Sequence, residues 1–282
     1  MVAASYGNDP TEIEVIGRNI GKHLIVEEID NYSRATVYRT DTNLMLQVYS
    51  KGIYRSASFS DLFYECVAPL REFTHPAIVP VLDIGETTDL YYFAIPHTAF
   101  PTLGNVLDGM QLLRHCAEKV IEQLANVLEF VHFHDIIHGE LTPDDIFIDS
   151  ECNIFVRGFN MHRLSPKLSI GRPTPMFDPA YVSPELARGY PVDKQSDVYT
   201  LGVIAFHLLT GQLPYHGTSP IQYLLAHISN PIPSISERNP HLPSSLDVVV
   251  KKAMAKNTND RYETTGEFWQ AYREATANCP SD

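Results

Sequence analysis

Between residues 138 and 145 the chain reads His138-Gly139-Glu140-Leu141-Thr142-Pro143-Asp144-Asp145, and three later stretches keep a fixed order behind it. They are Pro179-Ala180-Tyr181-Val182-Ser183-Pro184-Glu185, Ser196-Asp197-Val198-Tyr199-Thr200-Leu201-Gly202-Val203, and Asn259-Asp260-Arg261-Tyr262. The first stretch gathers three carboxylates around one proline. Its histidine follows His132 and His134, but this spacing does not place two ligands on one helical face as His-x-x-x-His does. A metal site is therefore not expected, and His132 and His134 are assigned to a solvated helix end.

Outward from these stretches the pattern is helical on both sides. Leu113, Cys116, Val120, Leu124, Val127 and Val131 recur at three- and four-residue steps, which predicts a helix with one buried stripe. Ser196 to Thr210 is apolar on nearly all sides and predicts a central helix, stopped by Gly211 with Pro214 soon after. Ser244-Ser245-Leu246-Asp247 predicts a capping box opening another helix. Before Pro96 the period changes to strands: His23–Ile29, Ala35–Arg39, Leu44–Tyr49, Ile78–Ile84 and Tyr91–Ile95, interrupted by one helix from Ser58 to about Ala68, ending near Pro69. Residues 1–21 read as a flexible lead-in, 22–97 as a small sheet lobe, 98–276 as a larger helical lobe and 277–282 as a tail.

Composition bounds the function. The chain has 282 residues, 44% of them hydrophobic and 20% charged, enough for one bilobal domain or two small ones with a substantial core. A net charge of −13 argues against wrapping nucleic acid, which needs a basic face. It reads instead as solvated surface, or as a docking face for a basic partner. No apolar run approaches the roughly 20 residues that span a bilayer, and no basic-then-apolar leader opens the chain, so neither membrane insertion nor secretion is expected. Cys66, Cys116, Cys152 and Cys279 show no Cys-x-x-Cys spacing. They are expected as thiols in a reducing, cytoplasmic compartment.

In this order and spacing, the stretches give residues 22–275 a specific resemblance to the eukaryotic-like protein kinase family, and within it to bacterial Ser/Thr kinases. The resemblance implies an α+β bilobal fold: a small, mostly antiparallel β N-lobe with one helix, and a larger, mainly α-helical C-lobe. It also implies structural roles. Asp197 would tie down the loop at 138–145, Arg261 would pair with Glu185, and His138 and Phe159 would pack.

The chemistry implied by the family is another matter. Its catalytic loop reads His-Arg-Asp-Leu-Lys-Pro-x-Asn, with Asp receiving the substrate proton, Lys on the phosphate and Asn on magnesium. Here those three positions are Glu140, Thr142 and Asp145, and the arginine is Gly139. Where the family has Asp-Phe-Gly, this chain has Gly158-Phe159-Asn160, without the metal-binding carboxylate. The glycine loop over the phosphates becomes Asp30, Tyr32 and Ala35. The lysine of Val-Ala-Ile-Lys becomes Gln47, and its partner on the helix becomes Cys66, with Glu65 beside it. Met45 and Phe147 replace the smaller residues that flank adenine. With Val37 they are expected to fill the slot and join the lobes' cores without ligand. Ser165 and Thr174, each before a proline, lie in the activation segment, but Gly139 cannot dock a phosphate there.

Losing one preorganised electrostatic group costs about 10²–10³ in rate, so several losses together, of order 10⁶ or more, leave no useful kinase. The expectation is a catalytically inactive pseudokinase, without cofactor or metal, acting as a scaffold or allosteric regulator for another protein. Two alternatives stand beside it. One is a metal-independent nucleotide sensor using the hinge after Ile95, with the Pro96 carbonyl and Thr98 N–H on adenine. The other is an unconventional phosphoryl or nucleotidyl transferase with Glu140 as base.

Overall fold

The computed structural model describes residues 15–31, 35–54, 57–109, 112–164 and 177–277. The chain divides into two units, Met1–Phe73 with Val79–Thr98, and Thr74–Ile78 with Ala99–Asp282.

Among its described residues the first unit holds a six-stranded antiparallel sheet and one α-helix. Its strands are β1 (Asn19–Ile20), β2 (His23–Asn31), β3 (Thr36–Thr40), β4 (Leu44–Ser50), β5 (Asp83–Glu86) and β6 (Leu90–Pro96), in the order β1-β2-β3-β4-β6-β5. Because side chains alternate along a strand, Leu46 and Val48 of β4 join Ile20, Ile25, Tyr38, Leu90, Tyr92 and Ala94 in one buried cluster. The opposite side of β4 carries Met45, Gln47 and Tyr49. Helix α1 (Ala57–Val67) supplies Phe63, whose ring centre lies 5.7 Å from that of Tyr49. Tyr91 and Phe59 continue this aromatic layer.

Two expectations need correction in this unit. Asn19–Ile20, assigned to a flexible lead-in, pairs with His23–Leu24 as β1. The strand expected at Ile78–Ile84 is instead Asp83–Glu86, and Ile78 bridges in parallel to Val156 in the other unit's own structure. An apolar run alone does not say which partner it finds. Helix α1 ends at Val67, just before Pro69 as expected, and a 3-10 helix, Ala68–Glu72, follows it, with the proline in its first turn where no N–H is required.

Among its described residues the second unit has helices and one β-hairpin. In chain order it holds α2 (Leu103–Gly109), α3 (Arg114–Phe133), a 3-10 turn at Pro143–Asp145, β7 (Ile146–Ile148) and β8 (Ile154–Val156). After the 3-10 turn Met161–Leu164 come α4 (Pro184–Ala187), α5 (Lys194–Thr210), α6 (Pro220–Ser229), α7 (Ile235–Arg238), α8 (Ser245–Ala253) and α9 (Thr265–Thr276). Helix α5 is buried on almost every side, which is why its sequence lacks a polar face. Helices α3, α8 and α9 pack around it. Asp193 and Ser196 form a reciprocal cap at its start.

The buried stripe of α3 runs as expected from Cys116 to Val131, but Leu113 stands outside it, 70% exposed at the N-cap. The capping box expected at Ser244–Asp247 does not form. Ser244 makes no side-chain cap bond, and the Asp247 carboxylate accepts from Ser234 and Ser236 hydroxyls and the Ile235 N–H at the start of α7. A carboxylate serves whichever open helix end lies nearer in space. The cysteine expectation also fails: Cys116 of α3 and Cys152 of the β7–β8 turn are joined as a disulfide, their Cα atoms 5.5 Å apart. Folding closed a distance that sequence spacing does not report. Cys66 is a buried thiol in the first unit, and Cys279 lies outside the described residues.

Candidate functional site

In the first unit, β3, β4 and β6 bring four of the singled-out residues together: Val37 stands opposite Gln47, and Met45 opposite Ile95. Val37, Met45 and Ile95 are buried. Gln47 is committed locally, since its side-chain amide donates to the Tyr49 hydroxyl at 2.8 Å, two residues along the same face. This satisfies a hydroxyl on a ring that is otherwise fully buried. The tie between strand and helix then passes through the contact of Tyr49 with Phe63, with no charge involved. Cys66 is fully buried on α1 while Glu65 is exposed, which supports Cys66 as the inward-facing position. Asp30 pairs with Val37 at the exposed end of β2, Ala35 is buried and Thr98 is half-buried. Tyr32, Ser165 and Thr174 lie outside the described residues.

In the second unit the loop 138–145 is held from behind by one carboxylate. Asp197, in the first turns of α5, accepts from the His138 N–H at 2.8 Å, the Gly139 N–H at 2.7 Å and His132 Nε2 at 2.8 Å. Burial works to raise this carboxyl's pKa, but His132 and the Gly139 N–H outweigh it and hold it below the ordinary Asp value. His132 is therefore buried against Asp197, not solvated as the sequence suggested, because the last turn of α3 points it at the start of α5. His138 packs edge-on against Phe159, ring centres 5.2 Å apart, and its Nε2 meets the Arg157 carbonyl at 2.9 Å.

The front of the loop is closed on itself. Asp145 Oδ2 accepts from the Thr142 hydroxyl at 2.9 Å and the Thr142 N–H at 3.1 Å, a reciprocal cap of the 3-10 turn. Thus Thr142 and Asp145, which the resemblance leads one to compare with the lysine and the metal-binding asparagine, bond to each other. Asp144 accepts from the Thr102 hydroxyl at 3.1 Å. Gly158 takes a φ of +88°, which side chains other than glycine rarely adopt. A Cβ there would touch Asp145 Oδ1 and His138 Nε2 at 3.4 Å. Phe147 pairs with Phe155 across the hairpin, and the Arg157 guanidinium lies 5.1 Å over its ring. Glu140 is half-buried. No cluster of three His, Cys, Asp or Glu suited to a metal occurs among the described residues.

At position 139, where the resemblance leads one to expect an arginine, a side chain would meet the ring of His162. Gly139 has a φ of +81°, and a Cβ there would come 2.7 Å from the His162 ring. His162 Nδ1 contacts the His138 carbonyl at 3.1 Å, and burial pushes its pKa down to about 4. A neutral imidazole thus occupies the space beside the loop. Neither His162 nor Arg157 carried any sequence signal, since each reads as an ordinary residue outside the known motifs. The predicted pair Glu185–Arg261 is present as a two-bond fork, both contacts at 2.8 Å, with the Ser196 hydroxyl also on Glu185.

These features define a protein-kinase fold, and comparison with known proteins agrees. The chain belongs to the protein kinase domain family, whose model matches residues 47–272. Among curated proteins it is 32% identical over 255 residues to the probable serine/threonine-protein kinase PknB of Lactococcus lactis subsp. lactis, covering 88% of this chain and 41% of that protein. It is 30% identical over 263 residues to serine/threonine-protein kinase PrkC of Bacillus subtilis, covering 90% and 40%. The chain thus spans about two fifths of the length of these relatives. The crystal structure of the Mycobacterium tuberculosis PknI kinase domain superposes with a TM-score of 0.71 at 21% identity, over 98% of this chain and 100% of that one.

Proposed function

We propose that this chain is a pseudokinase, a kinase-fold domain that has lost phosphoryl transfer and acts by binding another protein. The observation that carries this reading is the closed Thr142–Asp145 cap beside Gly158. A phosphate-binding lysine and two metal ligands are replaced there by a threonine, an aspartate bonded to it, and a glycine without a side chain. The neutral Gln47–Tyr49 bond in the first unit supports the same conclusion. The relatives' names point to working kinases, and that is the rival reading. Against it stands the number of charged groups lost, each worth about 10²–10³ in rate.

The expected cytoplasmic location draws in part on unpaired cysteines, and the Cys116–Cys152 bond removes that part of its support. No helix among the described residues is long and apolar enough to cross a membrane.

Thermal unfolding with ATP and magnesium tests the proposal, together with phosphate release and transfer to a generic protein acceptor. No shift and no turnover are expected. At a hundredfold excess over Kd a true ligand stabilises by about 2.7 kcal/mol, so a magnesium-dependent rise of several degrees would contradict the reading. Stabilisation by ATP without metal would select a nucleotide sensor. Turnover abolished by Glu140→Gln would select the unconventional transferase.

A further inference from the structure

We propose that Cys116 and Cys152 form a reversible thiol–disulfide switch, a modification site for peroxide-class oxidants, that clips the β7–β8 hairpin to helix α3. The hairpin is the segment that joins Asp145, just before β7, to Gly158, just after β8.

The two sulfurs are brought together by contacts that do not depend on their bond. The turn between the strands is held by Asp149, whose carboxylate accepts from the Glu151 N–H at 2.9 Å, the Asn153 N–H at 2.8 Å and the Asn153 amide at 2.9 Å. Helix α3 then grips the turn with polar side chains. Lys119 Nζ donates to the Glu151 carbonyl at 2.7 Å, and Gln123 donates to the Cys152 carbonyl at 2.8 Å while accepting from the Ile154 N–H at 3.2 Å. With the sulfurs reduced, this scaffold still presents Cys152 to Cys116. A bond so placed can open without losing the hairpin, which separates a switch from a purely structural staple.

The two positions also differ in the way such chemistry requires. Cys116 is the third residue of α3. It is buried, at 4% exposure. Cys152 is half-buried, sits at φ +62° in the turn, and has the Lys119 cation bound to the neighbouring carbonyl. Cys152 is therefore the sulfur that meets oxidant, and Cys116 the one that resolves it. The Cys152 thiolate attacks a peroxide oxygen, giving a sulfenic acid and hydroxide. The Cys116 thiolate attacks that sulfur, forms the S–S bond and expels a second hydroxide. With the two thiol protons, both hydroxides leave as water: two thiols and one peroxide become one disulfide and two waters. A dithiol reverses the step by exchange.

The test uses the full chain with Cys279→Ala, fully reduced, then titrated with hydrogen peroxide and returned with dithiothreitol without denaturant. Peptide mapping is expected to show Cys116 and Cys152 linked with loss of two hydrogens, reopened by dithiothreitol while the protein stays folded. The linked form should melt roughly 5–15 °C higher, from closure of a loop of about 36 residues. Exchange of the 146–156 amides should slow roughly tenfold or more. Cys152→Ser, at the more exposed position, should fold and lose the whole response. Sulfinic or mixed-disulfide products without the 116–152 link would overturn the proposal, and so would a link that opens only on unfolding.

Discussion

Replacing Arg261 by alanine strands Glu185, and the cost can be worked out from the contacts. Arg261 is buried and makes two bonds of 2.8 Å to the Glu185 carboxylate, while also donating to the Ala255 and Gln195 carbonyls. Removing one partner of a buried ion pair costs about 3–5 kcal/mol, because the other charge stays out of water. At 2–4 °C per kcal/mol for a protein of this size, that is a fall of roughly 6–20 °C in Tm. The pH dependence adds a check. In the native protein burial pushes the Glu185 carboxyl up, but Arg261 and Ser196 outweigh it and hold the pKa below the ordinary value. That contribution to stability is present above the unfolded carboxylate's pKa, and is lost as pH falls through the lower folded value. In Arg261→Ala burial loses its main opponent, so protonation relieves the variant, and the gap to the native protein should narrow between pH 7 and about 4.5. Urea titrations at both pH values measure it. A loss below about 1 kcal/mol, the level of an exposed pair, or a gap that does not change with pH, would refute the reasoning. Glu185→Leu with Arg261→Met, which removes both charges, should recover most of the stability.

Gly139→Ala should destabilise by about 2–3 kcal/mol, from left-handed strain and the clash with His162, and His162→Ala should restore part of it. Equal loss in both backgrounds would mean the ring is not the obstacle. His162, with a folded pKa of about 4, leaves the unfolded chain binding more protons between that value and 6.5. Stability should therefore fall as pH drops through this window, and His162→Gln should flatten the slope in denaturant midpoints. Asp247→Ala should cost about 1–2 kcal/mol by opening the start of α7. Hydrogen exchange should locate the loss at residues 234–238 and not at the start of α8.

The parts of the fold that the sequence disclosed are those where one segment carries its own signal. Helix α5 announces itself by lacking a polar face, and the roles of Glu185, Asp197 and Arg261 follow from the family resemblance of the motifs they stand in. What stayed hidden depends on partners distant in sequence. His132 looks like any helix-end histidine until α5 brings Asp197 to it. Cys116 and Cys152 are 36 residues apart, and only the hairpin's turn makes them neighbours. Gln47 reads as a lost lysine, but its bond to Tyr49 depends on a ring being buried by α1. Asp247 had the right spacing for a cap and was drawn to a different helix. In the site, the losses could be read residue by residue, whereas the mutual bonding of Thr142 and Asp145 required the turn's geometry.

The three contacts made by Asp197 also bear on how such a loop evolves. All of them reach the backbone or a histidine on the far side, and none touches Glu140, Thr142 or Asp145. The visible face of the loop can accordingly drift under mutation while its path through space is conserved. A randomised library at 140 and 144 should yield mostly folded members, and substitutions at 197 almost none.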